Sequence, residues 1–313
     1  MKRIKEFDIA KTIATFSIIC AHLSPITSKD IFSIKISWLY NLFGIIGVPL
    51  FFFVSGYLFF LNTDNFKKFM NKKLRQIIIP WIFVGTFCYL IVFYFKHNLS
   101  FINYLKFISG YGSYLYFLSV LLILYLINFK FKINNMFLYS SLIIGIISLV
   151  LNIIYGENSF SYINFCNWIP YFNLGMLVSK NNKINDLFKF CRKNMFIFFI
   201  TFLIVFLYSF INNIEINYWT LVGIIVILTF WGMFFGIIYD KKSKINTFFG
   251  ENSLVFYLIH MPIAGICVRI LNGYFIIFRL FLTLLITYIV IYLYKFFTKK
   301  LNLEKLNILI GVK

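Results

Sequence analysis

Ten stretches of this chain are apolar over roughly the length that crosses a bilayer, and this constrains the fold more than any other feature. They run over 8–27, 40–61, 76–95, 113–129, 136–155, 163–179, 195–212, 218–239, 250–271 and 274–296. Hydrocarbon offers no partner to a peptide group, so a spanning segment must satisfy its own backbone, and isolated runs of this length do so as α-helices. Composition agrees: 61% of the 313 residues are hydrophobic and 13% charged, against about 25% charged in soluble domains. The expected fold is an all-α integral membrane protein, a polytopic bundle of about ten transmembrane helices. It forms one domain over 1–313, with no soluble domain.

A net charge of +20 would suit nucleic acid in a soluble chain, but the apolar fraction argues against that partner. The placement of the charges is more telling. With both termini in the cytoplasm, 23 of the 30 Lys and Arg fall on inner loops and tails. Four (Lys29, Lys35, Lys96, Lys106) fall outside, and Lys11, Arg269 and Arg279 lie within spans. That is a strong positive-inside asymmetry, and one extra or missing helix early in the chain would invert it. The N-terminus starts like a signal peptide, with Lys2, Arg3 and Lys5, but Asp8, Lys11 and His22 interrupt its apolar run, so it reads as a retained first helix. The tail after Lys300 reads as a short amphipathic helix on the membrane surface.

Ionisable groups inside spans are costly and are functional candidates by default. His22 and Lys11 are eleven residues apart in the first segment, which places them on one helix face about 16 Å apart along the axis. Asp8 and Thr15 join that stripe, and Asp8 is placed to pair with Lys11. His22 reads as a general base; the competing reading is an interfacial ring turned to headgroups. Pro25 should bend or end the helix beyond it. Lys11 reads as an anion site or as a snorkelling side chain. In NFKKFMNKKLRQIIIPW, Lys72 and Arg75 are three apart and on one face, suited to gripping a phosphate, and Pro80 suits a first helical turn. A second histidine, His260, lies two residues before Pro262, with Glu251, Asn252 and Ser253 at the inner end of its segment. Nine residues separate Glu251 from His260, which puts them on opposite faces of a regular helix. His97 belongs to an outer loop. Arg269 and Arg279 read as headgroup anchors or as contacts for an anionic glycan. Ser55-Gly56 permits close helix packing. Cys20, Cys88, Cys166, Cys191 and Cys267 are scattered, with no spacing that suggests a metal site or a disulfide framework.

These pieces occur in a familiar order: FDIAKTIATFSIICAH, GVPLFFFVSGYLF, KKLRQIIIPW, YLYFLSVLLILYL, IPYFNLGML and FGENSLVFYLIHMP. Together they resemble the bacterial membrane acyltransferase-3 family, which includes O-acetyltransferases of surface polysaccharides. The resemblance implies a multi-pass protein of the bacterial cytoplasmic membrane. It would move an acyl group, acetyl above all, from cytoplasmic acetyl-CoA or another acyl-CoA to a hydroxyl of a glycan or lipid-linked saccharide, with no permanently bound cofactor. On that basis His22 and His260 map to the catalytic histidines, and Lys11, Lys72 and Arg75 to groups that hold the donor. Asp8, Glu251 and Ser253 are supporting residues. Many members carry Arg at the positions of Lys11 and Lys72, and lysine lacks its bidentate geometry. Tyr114 stands where the family often has His. The alternatives are a transporter or flippase for lipid-linked oligosaccharide and, less suited for want of a large outer loop, a glycan polymerase. A paired set of broken helices would favour the transporter.

Overall fold

The structure, a computed structural model, describes residues 5–24, 31–62, 65–94, 99–131, 134–156, 160–239, 248–271 and 273–312. Among them the chain is helical, with no strand. The helices are α1 (Lys5–Ala21), α2 (Ile31–Gly44), α3 (Gly47–Phe60), α4 (Phe66–Lys73), α5 (Ile79–Tyr94), α6 (Phe101–Ser109), α7 (Tyr116–Phe131) and α8 (Asn135–Tyr155). They continue as α9 (Ile169–Lys180), α10 (Ile184–Lys193), α11 (Met195–Ile211), α12 (Leu221–Ile238), α13 (Phe248–Glu251), α14 (Ser253–Ile270), α15 (Arg279–Lys300) and α16 (Asn307–Ile310). Side-chain caps start several of them: Asn65, Ser100, Asn134 and Thr220 accept from backbone N–H groups at Lys68, Asn103, Phe137 and Gly223.

Each of the ten apolar stretches contains a helix. Six spans among the described residues are long and apolar enough to cross a membrane: Ile31–Phe60, Phe66–Phe93, Asn135–Tyr155, Leu221–Ile238, Ser253–Ile270 and Phe275–Lys300. α10 and α11, bent by 66° at their junction, make a seventh if taken as one. α1, α7 and α9 are shorter, at 17, 16 and 12 residues. Large apolar side chains stand exposed along α8 (Ile143, Ile146, Val150, Ile154), α11 (Phe196, Ile200, Ile204, Ile211) and α15 (Phe281, Leu285, Tyr292, Phe296). Such stripes would be untenable in water and suit a lipid-facing surface. The chain is an all-helical membrane protein.

α3 forms the centre of the bundle and packs most closely on α9. A Cβ added at Gly56 would meet the Phe172 carbonyl oxygen at 2.0 Å, and one at Gly175 would meet the Phe53 carbonyl at 2.0 Å. The two glycines face each other's helix, so the backbones come into contact, as small-residue packing in membranes requires. α1 lies against α2, α3, α13 and α14. It ends at Ala21, short of the expected residue 27. Its last turn tightens, with His22 N–H bonding the Ile19 carbonyl at 3.1 Å and Leu23 N–H the Cys20 carbonyl at 3.0 Å. Pro25 and His97 lie outside the described residues.

The end of the tail touches the bundle: Ile310 packs against the core, Val312 is buried, and Tyr294 Oη donates to the Leu306 carbonyl at 2.9 Å, while Leu301, Leu303, Leu306 and Ile308 stay exposed. One expectation needs correction: Arg279 is no headgroup anchor. It is fully buried, and its guanidinium donates to the carbonyls of Leu23 (3.0 Å) and Leu271 (2.9 Å), tying the ends of α1 and α14 together. Arg269 is exposed.

A candidate active site between a basic cavity and a histidine pair

A cavity of about 790 Å³ opens among α1, α3, α4, α7 and α14, within the range of small-molecule and cofactor sites. Helical spacing builds its walls. Phe51, Ser55, Leu58 and Asn62 recur every three or four residues along one face of α3 and just beyond its end. Phe117, Leu121 and Tyr125 do so along α7, and Ser253, Leu254 and Tyr257 line it from α14. Register along α7 separates two ends: Tyr125 meets Lys73, while Phe117, two turns earlier, packs on Phe51 and Tyr257. Lys68, Lys72 and Gln76 line the cavity with Lys73 from the α4–α5 junction, and Lys11, Glu251 and Ser253 also line it.

The basic end comes from the α4–α5 junction. Residues Leu74–Ile78 form a π-helical turn just before Pro80, which has no N–H to continue the regular ladder. A π turn winds through less angle per residue than an α turn. Gln76 lines the cavity with Lys68, Lys72 and Lys73, while Arg75 is exposed and does not line it. Lys73 Nζ donates to Tyr125 Oη at 3.2 Å and lies 4.4 Å from the centre of its ring, which fixes its position. Lys11 and Asp8 pair at 3.7 Å. Asp8 is buried beneath α13, where a Cβ on Gly250 would meet the Asp8 carbonyl oxygen at 2.1 Å. Thr15 is buried and donates to the Lys11 carbonyl at 2.8 Å, so Lys11 alone of the first-helix stripe reaches the cavity.

The second half of the site starts from Pro262, in the middle of α14. Proline has no N–H, so the Leu258 carbonyl four residues earlier loses its helical partner. Tyr114 Oη donates to it at 2.7 Å, and the Cys88 thiol approaches at 3.7 Å. In return Tyr257 Oη donates to the Tyr114 carbonyl. This clasp joins the start of α7 to α14 one turn before His260. His260 Nδ1 lies 2.6 Å from the Tyr257 carbonyl and 3.2 Å from that of Phe256. A carbonyl only accepts, so Nδ1 carries the proton of the neutral ring and Nε2 is the basic atom. That Nε2 is buried and has no hydrogen-bond partner among the described residues. The His22 ring lies 5.1 Å from the His260 ring, centre to centre, and Tyr114 packs on both at 6.4 and 5.5 Å.

Two histidines 238 positions apart in sequence thus meet at the end of α1. His22 is half-buried and His260 fully buried. Glu251 stays on the cavity wall, separated from His260 by the break at Asn252 and by two turns of α14. Sequence reasoning passed over Lys68, Lys73, Gln76, Tyr125 and Tyr257 and assigned no role to Tyr114. Only Tyr114 left a trace: Pro262 implies an unpaired carbonyl at Leu258, but not which hydroxyl fills it.

A model of the acyltransferase domain matches residues 4–295, nearly the whole chain, and the chain belongs to the acyltransferase-3 family. It is a membrane acyltransferase. No curated protein and no solved structure shows significant similarity to it.

Proposed function

We propose that this protein is an integral-membrane O-acyltransferase of the bacterial cytoplasmic membrane, with ten helices and both termini inside. It takes an acyl group, foremost acetyl, from acyl-CoA and delivers it to a hydroxyl of a cell-surface or lipid-linked glycan. The observation that carries this reading is the polarity of the cavity: lysines at one end, an aromatic wall at the other, and the histidine pair just beyond that wall. A coenzyme A thioester has the matching polarity, with phosphates at one end and the acyl thioester at the other. Lys68, Lys72 and Lys73 attract and hold the phosphates. Lys11, with Asp8 beside it, adds a further positive group on the same wall.

The chemistry falls to His22 and His260. His22 takes the proton from the acceptor hydroxyl as its oxygen attacks the thioester carbonyl. The tetrahedral intermediate collapses, the C–S bond breaks, and the CoA thiolate leaves and takes up the proton. His260 Nε2, basic and without a hydrogen-bond partner among the described residues, belongs to a ring centred 5.1 Å from that of His22 and serves as acceptor for a proton in transit. Two measurements test the reading. Surface glycans from cells with and without the gene should differ by the mass of one acyl group per site. His22→Ala should abolish that difference at normal membrane abundance, and wild-type acylation in this variant sinks the mechanism.

A further inference from the structure

We propose that Tyr257 is a gate between the donor cavity and the histidine pair and that its ring restricts the donor to short acyl groups. This rests on the donor reading above. Tyr257 lines the aromatic end of the cavity and also packs on His260, with ring centres 5.9 Å apart. His260 lies three residues further along α14, about 4.5 Å of rise beyond the wall. Along α14 the way from the cavity wall to His260 passes this ring.

Three contacts hold the ring in place, and it is 5% exposed. Its hydroxyl donates to the Tyr114 carbonyl, it packs edge-to-face with Phe117 at 5.4 Å, and it meets the Tyr114 ring at 5.8 Å. Phe117 in turn packs on Phe51 at 5.8 Å, so the wall is continuous across α3, α7 and α14. The Tyr257 carbonyl is also the acceptor for His260 Nδ1. One residue thus closes the cavity with its side chain and sets the tautomer of the base with its backbone. An acetyl thioester ends one methyl beyond its carbonyl and fits against the ring. A hexanoyl thioester carries four more methylenes, and these need the space the ring fills.

The test compares acetyl-CoA and hexanoyl-CoA, with free CoA as control, by the heat stabilisation of the full chain in detergent. The wild-type chain should bind hexanoyl-CoA at least about tenfold more weakly than acetyl-CoA. Tyr257→Ala should bring the two affinities together. Tyr257→Phe keeps the ring and should keep the wild-type ratio. Equal wild-type affinities, an unchanged ratio in Tyr257→Ala, or the same loss of ratio in Tyr257→Phe overturns the gate. If Tyr257→Ala does not purify folded, Phe117→Ala removes the adjoining ring of the same wall, and an unchanged ratio there overturns it equally. If neither acetyl-CoA nor CoA stabilises the wild-type chain, the donor reading falls and the gate with it. If both do and the ratio does not respond, only the gate falls.

Discussion

At the scale of single residues, the site depends on where each hydrogen bond goes. The Leu258 carbonyl has lost its helical donor to Pro262, and Tyr114 Oη replaces it. Tyr114→Phe leaves that acceptor with only the weak Cys88 thiol. Hydrogen bonds between membrane helices contribute about 0.6 kcal/mol on average and up to about 1.7. We expect a loss in that range, measured by unfolding in detergent, together with reduced turnover because the clasp beside His260 loosens. Lys72→Glu puts a negative charge on the wall that would meet the donor phosphates. It should raise the KM for acyl-CoA about tenfold or more with little change in kcat, since it removes binding common to ground and transition states. Arg75→Gln is the matched control: Arg75 lies off the cavity, and its KM should stay close to wild type. A large KM effect at Arg75 would show that the donor leaves the cavity through a path other than the one Lys72 guards.

At the scale of elements, two irregularities shape the site, and both come from prolines. Pro80 ends a π-helical turn that selects which side chains of the basic loop face the cavity. Pro262 opens α14 at the turn that carries His260. Pro262→Ala restores an N–H that competes with Tyr114 for the Leu258 carbonyl. The helix becomes more regular and stable, and glycan acylation should fall at unchanged abundance; a gain in both would contradict the role given to the break. The α3–α9 contact carries the opposite kind of constraint. Gly56→Leu places a side chain where even a Cβ would sit 2.0 Å from the Phe172 carbonyl oxygen. Overpacking of this kind costs about 1–3 kcal/mol or more, and the expected result is a lower unfolding temperature in detergent or loss of folded protein. The helical character of these elements was legible in the sequence, because apolar length alone implies it. Their ends were not. α1 stops at Ala21, and Arg279, 256 residues after Leu23, donates to the Leu23 carbonyl just beyond that end.

At the scale of the whole molecule, the cavity joins two regions of opposite chemistry, and binding should reflect both. Acetyl-CoA should stabilise the detergent-solubilised chain against heat, and the shift should shrink as sodium chloride rises, because the exposed lysines at the basic end are screened. A salt-independent shift would mean the phosphates bind elsewhere. The sequence by itself determined that the chain is a helical membrane protein of the acyltransferase-3 family. It also singled out His22, His260, Lys11 and Asp8, because charge or imidazole in an apolar run is costly, and Lys72 by its helical spacing from Arg75. The tertiary structure alone decided which of these meet. His22 meets His260 and not Lys11, Lys72 is joined by Lys68 and Lys73 and not Arg75, and Tyr257 stands between the two groups. The physical reason is one of range. Burial cost and helical phase are local properties that a sequence displays. The partner of a freed carbonyl, or the side chain across a cavity, is set by the packing of helices far apart in the chain.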